Sequence, residues 1–68
     1  MELQTVPDVP NYRVDVENGV VYKMAYGRLV EVNMRSRYKS FTIKVGGRTV
    51  GTTLYRMMYC AINQIELT

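Results

Sequence analysis

Residues 38–65 read YKSFTIKVGGRTVGTTLYRMMYCAINQI, and the period of the apolar side chains changes inside this stretch. From Tyr38 to Val45, apolar and polar residues alternate. Phe41, Ile43 and Val45 fall on one side, and Tyr38, Ser40, Thr42 and Lys44 on the other, which is the period of a strand with one covered face. Gly46-Gly47 is a two-residue hairpin signal, since both residues accept the positive φ of a tight turn. Arg48 to Thr52 returns as the partner strand, with Gly51 weakening it or marking a bulge. Beyond Thr52 the spacing becomes about 3.6: Leu54, Met57, Met58, Ala61 and Ile65 form one apolar stripe. This predicts a helix over about Leu54–Asn63, with the Thr53 hydroxyl as N-cap for a free amide of the first turn.

The same alternation extends upstream. Tyr12, Val14 and Val16 share one face of a strand and Arg13 and Asp15 the other. Glu17-Asn18-Gly19 is a turn, Val20 to Met24 a second strand, Ala25-Tyr26-Gly27 another turn, and Arg28 to Val32 a third strand. Asn33 to Arg37 breaks the pattern as a polar loop. Pro7 and Pro10 hold Val6 and Val9 extended, so the first ten residues read as an extended arm. Residues 1–10 are thus expected as an arm, 11–52 as antiparallel strands and 53–64 as a helix, all in one domain. The fold class is α+β: a small antiparallel sheet of hairpins followed by one C-terminal helix packed on one face. The other sheet face is left open, carrying Tyr38, Ser40, Thr42 and Lys44.

Composition limits the chemistry. The chain has 68 residues, one cysteine (Cys60) and no histidine. That length holds one domain with a thin core, and neither an intrachain disulfide nor a common zinc set is available to reinforce it. Cys60 lacks a histidine partner that would activate it as a nucleophile, and reads as a buried structural thiol. Asp15 and Glu17 lie on one strand face and read as a solvated pair rather than metal ligands. No cofactor is expected, and no enzyme constellation is present. The lone thiol fits a reducing compartment, and neither a leader nor an apolar run of membrane-spanning length is visible, so a cytoplasmic protein without membrane contact is expected.

Charge is the main functional signal. Net charge is +3, but residues 23–56 carry Lys23, Arg28, Arg35, Arg37, Lys39, Lys44, Arg48 and Arg56 against Glu31 alone. The first 22 residues are acidic, with Glu2, Asp8, Asp15 and Glu17 against Arg13. Basic residues clustered in this way are the electrostatic footprint of a nucleic-acid binder. Arg35-Ser36-Arg37-Tyr38-Lys39-Ser40 is the densest segment. Arg28, Arg35, Arg37, Lys39, Lys44 and Arg48 are the candidate contacts, with Lys23 at the margin. A solvated, solubilising face is the plain alternative. There are six tyrosines: Tyr12 and Tyr22 fit the inward pattern, Tyr26 lies in a turn, and Tyr55 and Tyr59 fall off the helix's main stripe. The last two either pack over the sheet edge or meet a partner, so a protein-interaction module or homodimer is the rival reading. RNA, with Tyr38 and Tyr26 stacking on unpaired bases, is a third.

Pro10-Asn11-Tyr12-Arg13-Val14, Asn18-Gly19-Val20-Val21-Tyr22 and Gly27-Arg28-Leu29-Val30 together resemble the nuclease-associated modular DNA-binding motif found beside HNH catalytic domains. The later pieces, Tyr38 to Val45, Gly47-Arg48 and Leu54 to Ile62, follow in that family's order, so the resemblance spans about Val6 to Ile62. Two positions depart from it. The family's serine before the Asn-Gly turn is replaced around Val16-Glu17, and the histidine of its helix is Tyr55. The resemblance implies DNA contact through the sheet and adjoining loops by a binding module without the nuclease, and it implies no cleavage.

Overall fold

The computed structural model describes residues 2–68. Six strands precede one helix: β1 (Gln4–Val6), β2 (Val9–Asp15), β3 (Val20–Ala25), β4 (Arg28–Glu31), β5 (Ser40–Val45), β6 (Arg48–Thr53) and α1 (Leu54–Asn63). All pairings are antiparallel. The strands do not form one sheet: β1-β2-β3-β4 is a four-stranded meander, and β5-β6 stands apart as a two-stranded ribbon. The α+β class holds.

The turns follow from local chemistry. Tyr26 (φ 54°) and Gly27 (φ 78°) close the β3–β4 hairpin, and Gly46 (φ 56°) and Gly47 (φ 82°) close β5–β6. Two successive positive φ values match the right-handed twist of the flanking strands. The β2–β3 turn is held by Asp15. Its carboxylate accepts from the Asn18 backbone N–H at 3.2 Å and from Asn18 Nδ2 at 2.9 Å, while its carbonyl accepts from Gly19 N–H at 2.8 Å. Asp15 is therefore buried and spent on the turn, and the expected solvated pair with Glu17 does not form.

The N-terminal arm is also corrected. Val6 and Val9 are extended, but β1 pairs with β2 and both valines lie in the core. An isolated arm would leave these side chains in water, and folding back buries them at roughly 1.5–3 kcal/mol each. Among the described residues the strand register shifts here alone, between Gln4 and Val6; β5–β6 runs without a bulge at Gly51.

The core joins Val6, Val9, Tyr12, Val14 and Val21 of the meander to Phe41 and Ile43 of the ribbon, through Leu54, Met57, Cys60 and Ala61 of the helix. The helix touches β1 and β2 on one side and β6 on the other, so it clamps the two sheets together. Its bounds and cap are as expected: Thr53 is extended, and its Oγ1 accepts from Arg56 N–H at 3.3 Å. Its apolar stripe differs. Gln64 adopts the left-handed conformation (φ 53°) and ends the helix, so Ile65 leaves the stripe and is exposed. Cys60 joins the stripe, and Leu67 enters the core from the tail. Tyr12 is core as expected. Tyr22 is not: its cross-strand partners are Arg13 and Glu31, on the face opposite Val14 and Val21. At ten residues, α1 is too short to cross a membrane.

Candidate functional site

A solvated lysine or arginine is ordinary at a protein surface, and the partners show which cations the fold already uses. Of nine lysines and arginines, two are engaged: Arg13 donates to the Pro10 and Tyr12 carbonyls, and Arg56 donates to the Leu67 carbonyl at 3.2 Å. The other seven have no hydrogen-bond or ion-pair partner among the described residues. They are Lys23 and the six candidate contacts, all exposed and all between positions 23 and 48.

Their placement differs from one continuous open sheet face. Lys44 lies on β5 with Ser40 and Thr42, on the face expected to be open, and Thr42 and Lys44 are exposed. Arg48 is the cross-strand partner of Val45, so it emerges on the opposite face, at the end of the ribbon. Arg35 forms an isolated bridge with Ser40, exchanging backbone bonds of 2.8 and 2.9 Å. Residues 36–39 are a turn and not the start of β5, so Arg37, Tyr38 and Lys39 leave the strand. The turn forms because Ser36 (φ 64°) and Lys39 (φ 52°) take left-handed conformations and the Ser36 hydroxyl accepts from Tyr38 N–H at 3.2 Å. Arg28 sits at the end of the β3–β4 hairpin opposite Ala25. The cations thus decorate two hairpins and the loop that joins them.

An open groove of ≈ 880 Å³ lies between the meander and the ribbon. Tyr12, Lys23 and Val30 form a cross-strand row on the meander side, continued by residues 31–33. Arg35, Ser40, Phe41, Thr42, Gly51, Thr52 and Thr53 form the ribbon side. Lys23 and Arg35 therefore share one cavity, flanked by four hydroxyl-bearing side chains of the ribbon. A second, smaller groove of ≈ 330 Å³ places Lys39 beside Asn18, Gly19 and Met34. Glu31 also lines the larger groove, so its charge is mixed, two cations and one carboxylate beside hydroxyls.

The groove, and the place of Lys23 in it beside Arg35, were not foreseen from the sequence. The groove forms between two separate sheets, and periodicity carries no sign of that separation. The available signal was Gly51, a glycine in mid-strand.

Other polar groups serve the scaffold. Asp8 Oδ1 accepts from Leu67 N–H at 2.8 Å, and its Oδ2 accepts from Thr68 N–H at 2.9 Å and Thr68 Oγ1 at 2.7 Å. Partial burial alone would raise this carboxyl, but those hydrogen bonds outweigh it and hold the pKa below the ordinary 3.8. Cys60 is buried, as expected; burial pushes its thiol up, against the opposing pull of Arg56. On the helix, Tyr55 (62%), Tyr59 (61%) and Ile62 (60%) are exposed, a second apolar stripe at i, i+4 and i+7 that covers no sheet edge. Comparison with protein-family models, curated proteins and solved structures finds no match to this chain.

Proposed function

We propose that this chain is a non-catalytic nucleic-acid-binding module whose partner is double-stranded DNA, held chiefly by its phosphates. The observation that carries the reading is the set of seven partnerless cations, Lys23, Arg28, Arg35, Arg37, Lys39, Lys44 and Arg48, confined to two neighbouring hairpins and their connecting loop. An ion pair within the protein would have to be broken before a phosphate was bound; these cations carry no such cost. The motif order that resembles the HNH-associated DNA-binding family supports the same reading, and the lone thiol fits a reducing, cytoplasmic setting.

The test is fluorescence anisotropy with random-sequence duplex DNA at low and near-physiological salt. Phosphate contacts release counterions, so affinity falls steeply with salt, and each contact removed lowers the log–log slope by about 0.9. An Arg35→Ala/Arg37→Ala/Lys39→Ala variant that still folds is expected to lose most of the binding. Affinity that is insensitive to salt, or unchanged in that variant, sinks the reading. Preference for structured RNA over duplex DNA would reassign the partner.

One observation favours a second reading. Tyr55, Tyr59 and Ile62 form an exposed apolar stripe on a helix face without charge between them, which suits a protein partner or a second copy of the chain. Sedimentation over a hundredfold concentration range distinguishes the two: a mass that rises with concentration supports self-association, and a fixed monomer mass removes the homodimer.

A further inference from the structure

We infer that the end of the β3–β4 hairpin is a wedge for duplex DNA: Tyr26 enters the minor groove and parts a base step, and Lys23 and Arg28 hold the adjoining phosphates; this rests on the nucleic-acid reading and adds to it a bend in the DNA.

Three features meet at this hairpin end. The first is exposure. Residues 23–29 are all exposed except the half-buried Ala25, so the end stands clear of the core. The second is an apolar surface. Of the eight large apolar side chains exposed among the described residues, Met24, Tyr26 and Leu29 fall within six positions. Met24 and Leu29 are cross-strand partners on one face, and Tyr26 occupies the turn next to them, fully exposed. Single apolar side chains on a surface are ordinary, whereas three on one hairpin end are a local concentration. Tyr26 also holds a φ of 54°, which glycine or asparagine adopts at less cost. The fold therefore draws neither packing nor backbone ease from this ring. The third feature is charge. Lys23 shares a face with Ala25, and Arg28 is the cross-strand partner of Ala25, so both cations lie on the face opposite Met24 and Leu29. Residues 23–30 include no carboxylate. Glu31 is two positions farther from the turn than Leu29 and lies across from Tyr22.

Size selects the partner. A specific protein interface buries roughly 800 Å² on each side, far more than one ring and two side chains that are themselves more than half covered. A flat lipid surface recruits the cations of one face, whereas Lys44 and Arg48 leave opposite faces of the ribbon. A base step needs only one or two apolar side chains driven between its bases, with lysine or arginine beside them, and the resulting kink brings more DNA against the protein. The remaining five cations, Arg35, Arg37, Lys39, Lys44 and Arg48, supply that further surface.

The experiment is energy transfer between dyes at the two ends of a duplex of about twenty base pairs with TA steps at its centre, which unstack readily. It is run at low salt with wild type, Tyr26→Phe and Tyr26→Asn; asparagine suits the turn, thermal melts confirm that each protein folds, and Tyr26→Gly replaces the asparagine variant should that one fail. Wild type and Tyr26→Phe are expected to raise the transfer efficiency on binding, the signature of a bend, and to displace a minor-groove dye from the duplex. Tyr26→Asn is expected to bind about three- to tenfold more weakly and, at saturation, to leave the transfer efficiency at that of free duplex. Binding by the wild type without a bend, a bend that Tyr26→Asn reproduces, or a minor-groove dye left in place overturns the wedge and leaves the DNA reading standing. If the wild type does not bind duplex at low salt, both fall. Vesicles of phosphatidylserine that bind wild type but not Tyr26→Asn, with no bend in the duplex, would give the tip to a membrane instead.

Discussion

Among the described residues, four other than glycine, Tyr26, Ser36, Lys39 and Gln64, sit at positive φ, a conformation that side chains disfavour. Tyr26 illustrates this: its side chain is fully exposed, yet its φ of 54° lies in the left-handed region at the first position of a two-residue hairpin turn. A side chain with a Cβ is strained there, and asparagine relieves much of the strain by hydrogen-bonding locally. Tyr26→Asn is therefore expected to stabilise the fold by roughly 0.5–1 kcal/mol, read as a shift in the urea midpoint at constant slope. A destabilised variant would mean that the ring packs in solution and that the turn is not strained. Ser36 and Lys39 occupy the same region of φ in the densest basic segment, so that segment's shape also costs conformational energy. On the proposed nucleic-acid reading Tyr26 is available for contact, and loss of nucleic-acid affinity in Tyr26→Asn alongside the gain in stability would test that trade directly.

At the scale of elements, the C-terminal tail completes the core. Leu67 is buried, and the segment is held by Asp8 from the β1–β2 turn, by Arg56 from the helix and by Gln64, whose Nε2 donates to the Thr5 carbonyl at 2.7 Å. Because the folded-state pKa of Asp8 is depressed, its contribution is present above the ordinary value of 3.8 and is lost as pH falls through the lower folded value. The melting temperature should thus decline as pH drops below about 4, and Asp8→Asn should flatten that decline while costing about 1 kcal/mol at neutral pH, a figure kept small because the site is near solvent. Amide exchange at Leu67 and Thr68 is the direct readout; identical pH profiles for Asp8→Asn and wild type would remove the tail clamp as their cause. The five strands after β1, the three turns that join β2 to β3, β3 to β4 and β5 to β6, the helix bounds and the Thr53 cap were legible in the sequence because each is set by neighbours within a few residues. The first ten residues were misread because proline signals an extended backbone but not the strand it will pair with. Tyr22 was placed inward because a period of two gives two faces and does not say which is covered; Val21 took the core. The separation into two sheets, and so the groove at Lys23, Arg35 and Gly51, depends on how the helix wedges between them, which no local pattern encodes.

For the whole molecule, the uneven distribution of charge bears on stability. Seven positive side chains on two hairpins and one loop, without carboxylate partners among the described residues, repel each other, while the first 22 residues, which carry most of the acid, direct Asp15 to a turn and Asp8 to the tail. Spent on these hydrogen bonds, the two acids form no ion pair with the basic residues. Screening should relieve that repulsion, since the Debye length falls from about 30 Å at 0.01 M to about 8 Å at physiological ionic strength. The melting temperature is therefore expected to rise by a few degrees when sodium chloride is raised from about 10 mM to about 150 mM. The choice of salt separates the causes: chloride acts here by screening, whereas sulfate also strengthens apolar burial and would raise the stability of almost any domain. Arg37→Gln/Lys39→Gln removes two of the crowded charges from an exposed turn and should melt higher than wild type at low salt, with the two proteins converging as salt is added. Duplex DNA should stabilise the wild type in the opposite regime, most strongly at low salt, by about 2.7 kcal/mol when free DNA is a hundred times its dissociation constant. A wild type whose melting temperature is flat or falls with chloride would show that the cations are too far apart to repel, and the energetic case for a binding surface held ready by unbalanced charge would fail with it.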